Sequence, residues 1–196
     1  MGYFTYRVLR DVSIKRLRSK VEANLALYEK GTIGRRSSVH LLKGIGCSAL
    51  CMDYLTEQEQ FLRPLGYQFG CVWMDVRFQD GDWWDVSLYE GTEHRCSHNI
   101  NPWADEERFR YNQSHIDFRI GRICELWPRF GDRLRPYLLP WRVPVRRLGR
   151  IRYVPRTGKA HEADKHGYGD ADQIFDFMRV FGIHEDSPKE TIQSPA

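Results

Sequence analysis

The chain has 196 residues, of which 41% are hydrophobic and 13% aromatic. This composition supports a folded core and excludes a largely disordered chain. The formal net charge of +4 does not by itself imply a polyanionic partner, and no apolar run approaches the roughly 18 residues of a membrane-spanning helix. With no basic region followed by an apolar run near Met1, and an odd number of cysteines, we expect a cytoplasmic protein with reduced thiols.

The first third of the chain predicts a mixture of strands and helices. In chain order, these are a strand over 3–9, a helix over 13–30 and a short strand over 39–42. Residues 47–55 fit either a helix or a strand. Thr56 and Glu59 form the capping box of a short predicted helix. Pro64 and Gly66 predict where that helix ends.

Residues 70–100 carry the strongest pattern in the sequence. Three short runs rich in aromatic and β-branched residues are separated by Asp-Gly and Glu-Gly turns, which predicts an antiparallel meander. Its apolar face is predicted to hold Val72, Met74, Val76, Phe78, Trp84, Val86 and Leu88. The opposite face is predicted to mix aromatic and charged groups, with Trp73, Asp75, Arg77, Trp83, Asp85, Ser87 and Tyr89.

The second half of the chain predicts two further helices, over 114–127 and 170–181. Between them, residues 129–168 are rich in arginine and proline and predict an irregular segment. Residues 185–196 predict a disordered tail. The fold class is therefore α+β, a single domain over 1–184 with the meander packed against three or four helices.

Two surfaces are candidates for binding. Exposed aromatic residues often anchor protein interfaces, so the first surface comprises Trp83, Trp84, Asp85 and Tyr89, with at least one tryptophan pointing inward. The second surface is basic and comprises Arg146, Arg147, Arg150 and Arg152, with Trp141 and Tyr153 interleaved. Arginines and aromatic rings together can bind phosphates and stack on bases, whereas the same arginines are also compatible with a solvated face or a protein-docking surface.

An enzyme with a metal site is a rival hypothesis. Four carboxylates, Asp75, Asp80, Asp82 and Asp85, gather around the first hairpin of the meander and could hold Mg²⁺ or Ca²⁺. His94, Cys96 and His98 alternate on the third strand, so they are predicted to share one face as part of a zinc site, which Cys47 and Cys51 could complete. Turn chemistry and cross-strand pairing with Arg77 or Arg95 explain the aspartates without a metal.

No cofactor is predicted. The run from Gly44 to Ala49 matches a dinucleotide-binding fingerprint, but it leads into antiparallel strands rather than the parallel sheet that such a site requires.

Three stretches carry a family resemblance: the run Asp80-Gly-Asp-Trp-Trp-Asp-Val-Ser-Leu-Tyr-Glu-Gly, the run Ile100-Asn-Pro-Trp, and the run from Tyr168 to Gly182. They resemble a group of uncharacterised bacterial α+β proteins that is similar in style to toxin-immunity proteins. The resemblance implies a non-enzymatic, immunity-like protein that acts by protein–protein contact, and the basic charge favours a partner with an acidic surface. Nucleic-acid binding through residues 142–156 and metal-dependent catalysis are the alternatives, and the sequence does not indicate an oligomeric state.

Overall fold

A seven-stranded antiparallel sheet runs through the middle of the protein, in the strand order β6-β5-β4-β1-β3-β2-β9. The computed structural model describes residues 4–28, 38–53, 64–79, 83–100 and 113–193. The strands are β1 Phe4–Arg10, β2 Ser38–Lys43, β3 Cys47–Asp53, β4 Val72–Gln79, β5 Trp83–Glu90, β6 Glu93–Asn99, β7 Arg142–Arg147, β8 Arg150–Pro155 and β9 Glu190–Gln193. The helices are α1 Ile14–Tyr28, α2 Gln113–Leu126, α3 Gly131–Leu134 and α4 Gln173–Arg179, with a further helical segment over 64–69.

The α+β class and the antiparallel meander are confirmed, and the first predicted strand takes the central place in the sheet. β1 pairs with β3 on one side and with β4 on the other, both antiparallel. Val8 and Leu9 point to opposite faces of β1, and both are completely buried. The sheet is therefore covered on both faces at its centre, which makes three layers.

The two faces of the sheet bury different helices. On one side, here called the α1 face, Leu17 and Val21 of α1 join Phe69 of the 64–69 segment in one apolar cluster. On the other side, here called the α4 face, the strands pack against α2, α3 and α4. The α4 face contains the apolar residues predicted for the meander, among them Val76 and Trp84, and this part of the prediction is confirmed.

Three boundary predictions are wrong. Pro64 and Gly66 both lie within a helical segment that is described over 64–69, so neither residue ends the helix there. The predicted disordered tail contains β9, which pairs with the outer edge of β2. The predicted irregular segment over 129–168 contains α3 and the hairpin of β7 and β8. The predicted capping box at Thr56 lies outside the described residues.

Candidate functional site

A hydrogen-bonded polar network occupies the α1 face of β1, β4, β5 and β6. In the centre of the sheet, Arg7 donates from Nε and from Nη2 to the two carboxylate oxygens of Asp75, each at 2.6 Å. The Arg7 guanidinium lies 4.2 Å from the centroid of the Trp73 ring. The buried charge of Arg7 is thus neutralised by a bidentate carboxylate and covered by an aromatic face.

A second ion pair lies on the same face, between β4 and β5. Arg77 donates from Nε to Asp85 Oδ1 at 2.9 Å and from Nη2 to Ser87 Oγ at 3.1 Å. Burial raises the pKa of Asp85, and the adjacent Arg77 offsets part of that shift. The expectation that Asp85 pairs with Arg77 across the strands is confirmed, whereas Asp75 pairs with Arg7 of β1.

The network continues toward the edge of the sheet. Ser87 Oγ lies 2.9 Å from Ser97 Oγ, and Ser97 Oγ lies 2.8 Å from His94 Nε2. The Tyr89 ring stacks on the Trp73 ring, with 3.9 Å between the two centroids. It also contacts the His94 ring edge-to-face, with 5.1 Å between centroids. In the described part of the chain no carboxylate contacts His94, so Ser97 and His94 form a pair without the third member of a catalytic triad.

The predicted aromatic contact surface is mostly internal. Trp84 is completely buried on the α4 face, with its ring 5.0 Å from that of Phe177, so its prediction as a surface contact is wrong. Asp85 is buried and bound to Arg77, and Tyr89 is half-buried against Trp73. Trp83 lies in β5 opposite Gln79. The sequence pattern did not show that both faces of this sheet are covered.

The predicted zinc-site geometry is also wrong, because a β-bulge interrupts β6. The register shifts between Leu88 and Tyr89, so that Cys96 and His98 lie opposite Leu88 and Val86 on the α4 face, whereas His94 lies opposite Tyr89 on the α1 face. His98 is buried and its Nε2–H donates to the Leu138 carbonyl at 2.6 Å.

The predicted carboxylate site is only partly within the described residues. Asp75 and Asp85 are each bound to an arginine, which satisfies the charge that a metal ion would otherwise neutralise. Asp80 and Asp82 lie outside the described residues. The other predicted zinc ligands, Cys47 and Cys51, lie on β3. Burial raises the pKa of the Cys47 thiol to about 12, which disfavours the thiolate that a zinc ion would bind.

Among the residues that the structure describes, one cluster of possible metal ligands was not predicted from the sequence. His166, Asp170 and Asp172 place one potential ligand atom each within 4.8 Å of the others. His166 Nδ1 lies 3.0 Å from Asp170 Oδ2, and the Asp172 backbone N–H donates to Asp170 Oδ1 at 2.9 Å. These bonds are typical of a turn that precedes a helix, and they account for the cluster without an ion.

A cavity of about 280 Å³ lies at the end of α2. Its lining comprises Arg10, Asp11, Gly46, Trp127, Pro128, Arg129 and Phe130. Arg10 donates to the Leu126 carbonyl and lies 3.4 Å from Asp11, so both its charge and its hydrogen bonds are already used within the fold.

The β7–β8 hairpin places the predicted basic segment on a two-stranded ribbon, here called the arginine ribbon (residues 142–155). Its register pairs Val145 with Arg152 and Arg147 with Arg150. Leu148 and Gly149 join the strands with φ values of 51° and 75°, the two positive values of a type I′ turn. Pro144 and Pro155 are accommodated because each strand of a two-stranded ribbon has one edge that needs no hydrogen bond.

The arginine ribbon carries exposed charge of one sign. The stretch from Arg142 to Arg156 has six arginines and no Asp or Glu. Arg142, Arg146, Arg147 and Arg152 are exposed, and within the described residues none of them forms a salt bridge.

Comparisons with known proteins do not identify a relative. No family model, curated protein or solved structure matches the chain. The resemblance to a bacterial, immunity-like group stays a prediction. Among the described helices, none has the length and apolar character needed to cross a membrane.

Proposed function

We propose that this protein is a non-enzymatic nucleic-acid-binding protein that contacts the phosphate backbone of a duplex through the arginine ribbon. The supporting observation is the concentration on one hairpin of exposed guanidinium groups that form no salt bridge with any residue the structure describes. Outside the ribbon, Arg18, Arg95 and Arg122 are neutralised by glutamates, whereas others such as Arg119 and Arg133 are exposed without a salt bridge among the described residues. What sets the ribbon apart is its density of charge, because the stretch from Arg142 to Arg156 has six arginines and no Asp or Glu. Such a local excess of positive charge attracts phosphates even though the net charge of the whole chain is only +4.

The dimensions of the ribbon suit a groove of a duplex. A strand of six residues is about 20 Å long at roughly 3.3 Å per residue, and paired strands lie about 4.8 Å apart. A two-stranded ribbon of this size is one of the elements that can lie along a groove of duplex DNA. Side chains along both strands, among them Arg146 and Arg152, would then lie near phosphates.

A duplex is favoured over a single strand because the ribbon presents few aromatic surfaces. Proteins that bind single strands stack bases on exposed aromatic rings. Trp141, an aromatic residue interleaved with the arginines in the sequence, is buried, and its Nε1–H donates to Gln173 Oε1 at 3.0 Å. Tyr153 is half-buried.

The experiment measures the affinity for a mixed-sequence DNA duplex at several salt concentrations by fluorescence anisotropy. Each neutralised phosphate contributes a slope of about −0.9 to log K against log salt, so we expect a slope of about −3 to −4 for the wild type. Replacing Arg146, Arg147, Arg150 and Arg152 together by alanine is expected to bring the slope close to zero and to abolish binding at moderate salt.

A matched control removes the same charge elsewhere. Replacing Arg18, Lys20, Arg95 and Arg122 by alanine is expected to leave the slope nearly unchanged. Equal losses in both fourfold variants would mean that net charge alone drives binding, and the proposal would be wrong.

A protein partner with an acidic surface is the second candidate, favoured by the same exposed charge together with the exposed Val145 and Val154. Poly-glutamate serves as the probe for this candidate. If the wild type binds no duplex at low salt but binds poly-glutamate through the ribbon arginines, the protein-partner hypothesis replaces ours.

A further inference from the structure

We infer that Leu148 is an apolar wedge that enters the minor groove of a bound DNA duplex and opens a base step. This inference rests on the proposed function and adds the form of the ligand, a kinked duplex. It is carried by one residue at the tip of the arginine ribbon whose exposure and backbone conformation are both unfavourable in the free protein.

The exposure of Leu148 is the first observation. Its side chain is 97% exposed, the largest value among the large hydrophobic residues in the described ranges. The tip of a hairpin is normally polar, and a fully exposed leucine gains nothing from the packing of its own domain.

The backbone of Leu148 is the second observation. Its φ of 51° lies in the left-handed region, where a branched side chain such as leucine crowds the following carbonyl. Asparagine or glycine is the usual residue at this position of a type I′ turn. Glycine would remove the strain because it has no Cβ, and asparagine would reduce it because its short polar side chain can hydrogen-bond locally. Strain of this kind, in a residue that also exposes apolar surface, is a feature of functional sites.

The surroundings of Leu148 decide what kind of partner it fits. Arg147 and Arg150 lie directly opposite each other next to the turn, and Arg146 and Arg152 follow behind them. An apolar tip with guanidinium groups behind it matches a base step, which has an apolar stacking surface between two phosphate backbones. A hydrophobic pocket on a protein would need acidic residues around its rim to accept the same tip.

The wedge also explains how a ribbon could use the narrower groove. The minor groove of B-form DNA is about 6 Å wide, too narrow for a ribbon with arginine side chains. Insertion of an apolar side chain between base pairs unstacks the step and opens that groove, while the duplex bends away from the protein. Pyrimidine–purine steps such as TA are the easiest to open.

The test compares duplexes that carry a central TA step with duplexes that carry a stiff A-tract. Bending is measured by energy transfer between dyes at the two duplex ends. The wild type is expected to bring the ends of the TA duplex closer together and to bind it about tenfold more tightly than the A-tract duplex.

The decisive variant is Leu148→Asn, for which stability and function are expected to change in opposite directions. Relief of the left-handed strain is expected to raise the melting temperature by about 2–4 °C. The same change is expected to abolish bending and the TA preference while leaving the salt slope unaltered. Leu148→Met keeps an apolar tip and should retain bending. Phe118→Asn alters an exposed apolar residue of α2, outside the ribbon, and should also retain it.

The possible outcomes separate this inference from the proposed function. If Leu148→Asn bends the duplex as the wild type does, or melts at a lower temperature, the wedge is wrong while binding by the ribbon stands. If the wild type binds no duplex at all, the proposed function fails first. If Leu148→Asn weakens binding to poly-glutamate as much as to DNA, Leu148 affects the binding of anions in general and the wedge is again wrong.

Discussion

Arg7 is almost completely buried, yet both oxygens of Asp75 lie 2.6 Å from its donors and the Trp73 ring covers its guanidinium. Removing a charge from water is costly, and the bidentate geometry is what makes the pair tolerable at the centre of a sheet. The pair also fixes the register between β1 and β4, because Arg7 and Asp75 lie directly opposite each other. We interpret it as a device for specifying which strands pair.

His98 is also buried, but unlike Arg7 it stays neutral instead of pairing with an opposite charge. Burial lowers its pKa from 6.5 to about 4, although the hydrogen bond to Leu138 acts in the other direction. Between those two pH values the unfolded chain binds a proton that the folded protein does not. The stabilising effect of the neutral state is therefore complete above pH 6.5 and is lost as the pH falls toward 4.

His98 makes the stability of the folded protein depend on pH. From pH 7 to pH 5, about 2 kcal/mol of stability should be lost through His98 alone, at 1.36 kcal/mol for each pH unit below 6.5. His98→Gln can still donate to Leu138 but cannot be protonated, so urea titrations at the two pH values should show a smaller loss for the variant. The raised pKa of Asp85 has the opposite effect on stability. Because Asp85 is present in both the wild type and the variant, its contribution cancels when the two losses are compared. Equal losses would contradict the assignment.

Two glycines in helical segments, Gly66 and Gly121, show how packing decides whether a glycine-to-alanine substitution stabilises or destabilises the protein. A Cβ on Gly66 would lie 2.4 Å from Trp73 Cε2, whereas a Cβ on Gly121 of α2 would meet no atom within 4 Å. Trp73 is held by its stacking on Tyr89 and by its hydrogen bond to the Gly91 carbonyl at 3.0 Å. The helical segment over 64–69 can therefore approach the sheet only because residue 66 has no side chain.

We expect opposite changes in stability from the matched pair. Gly66→Ala should lower the free energy of unfolding by about 1–3 kcal/mol through overpacking. Gly121→Ala should raise it by up to about 1 kcal/mol, because alanine is the better helix former. Chemical denaturation of both variants checks this; a neutral Gly66→Ala would mean that the segment does not pack on Trp73.

At the scale of single strands and helices, the regular patterns were predictable from the sequence, whereas irregularities such as β-bulges were not. Strict alternation from Val72 to Phe78 gave the correct faces of β4, because side chains of a regular strand change sides at every residue. The bulge opposite Leu88 and Tyr89 breaks that rule, and no distinctive residue marks it, so strict alternation predicts the wrong face for His94. Likewise, no local signal could show that Asp75 pairs with Arg7, 68 positions away.

The hairpin and the last strand were missed for different physical reasons. Pro144 and Pro155 look like breakers when each strand is considered alone, and they are harmless in a ribbon with two free edges. β9 is four residues long, and Glu190, Thr191 and Gln193 are polar, so its own sequence carries little strand signal. β9 forms because it pairs with the outer edge of β2, a partner that its own sequence does not indicate.

For the whole molecule, β9 closes one side of the sheet. It pairs with β2 from Ser38 to Leu41, Glu190 bonds to Arg18 of α1, and Ile192 packs against the cluster on the α1 face. An open strand edge offers unpaired N–H and C=O groups to other chains. A chain ending at residue 189 should therefore melt at a lower temperature and self-associate more strongly with increasing concentration.

Thermal melting and sedimentation at two concentrations check this prediction, with a chain ending at residue 193 as the control. The control keeps β9 and should behave as the full chain. If the shorter chain matches the control in both measurements, β9 has no role in stability.

The central position of β1 has a consequence for how the protein is made. β1 is translated before both of its neighbours: β3 is complete once residue 53 has been translated, and β4 only after residue 79. At about 5–20 residues per second, Arg7 emerges several seconds before its carboxylate partner. The Arg7 guanidinium therefore stays hydrated in the nascent chain until Asp75 has emerged. Synonymous codons that slow translation before residue 75 would lengthen this interval.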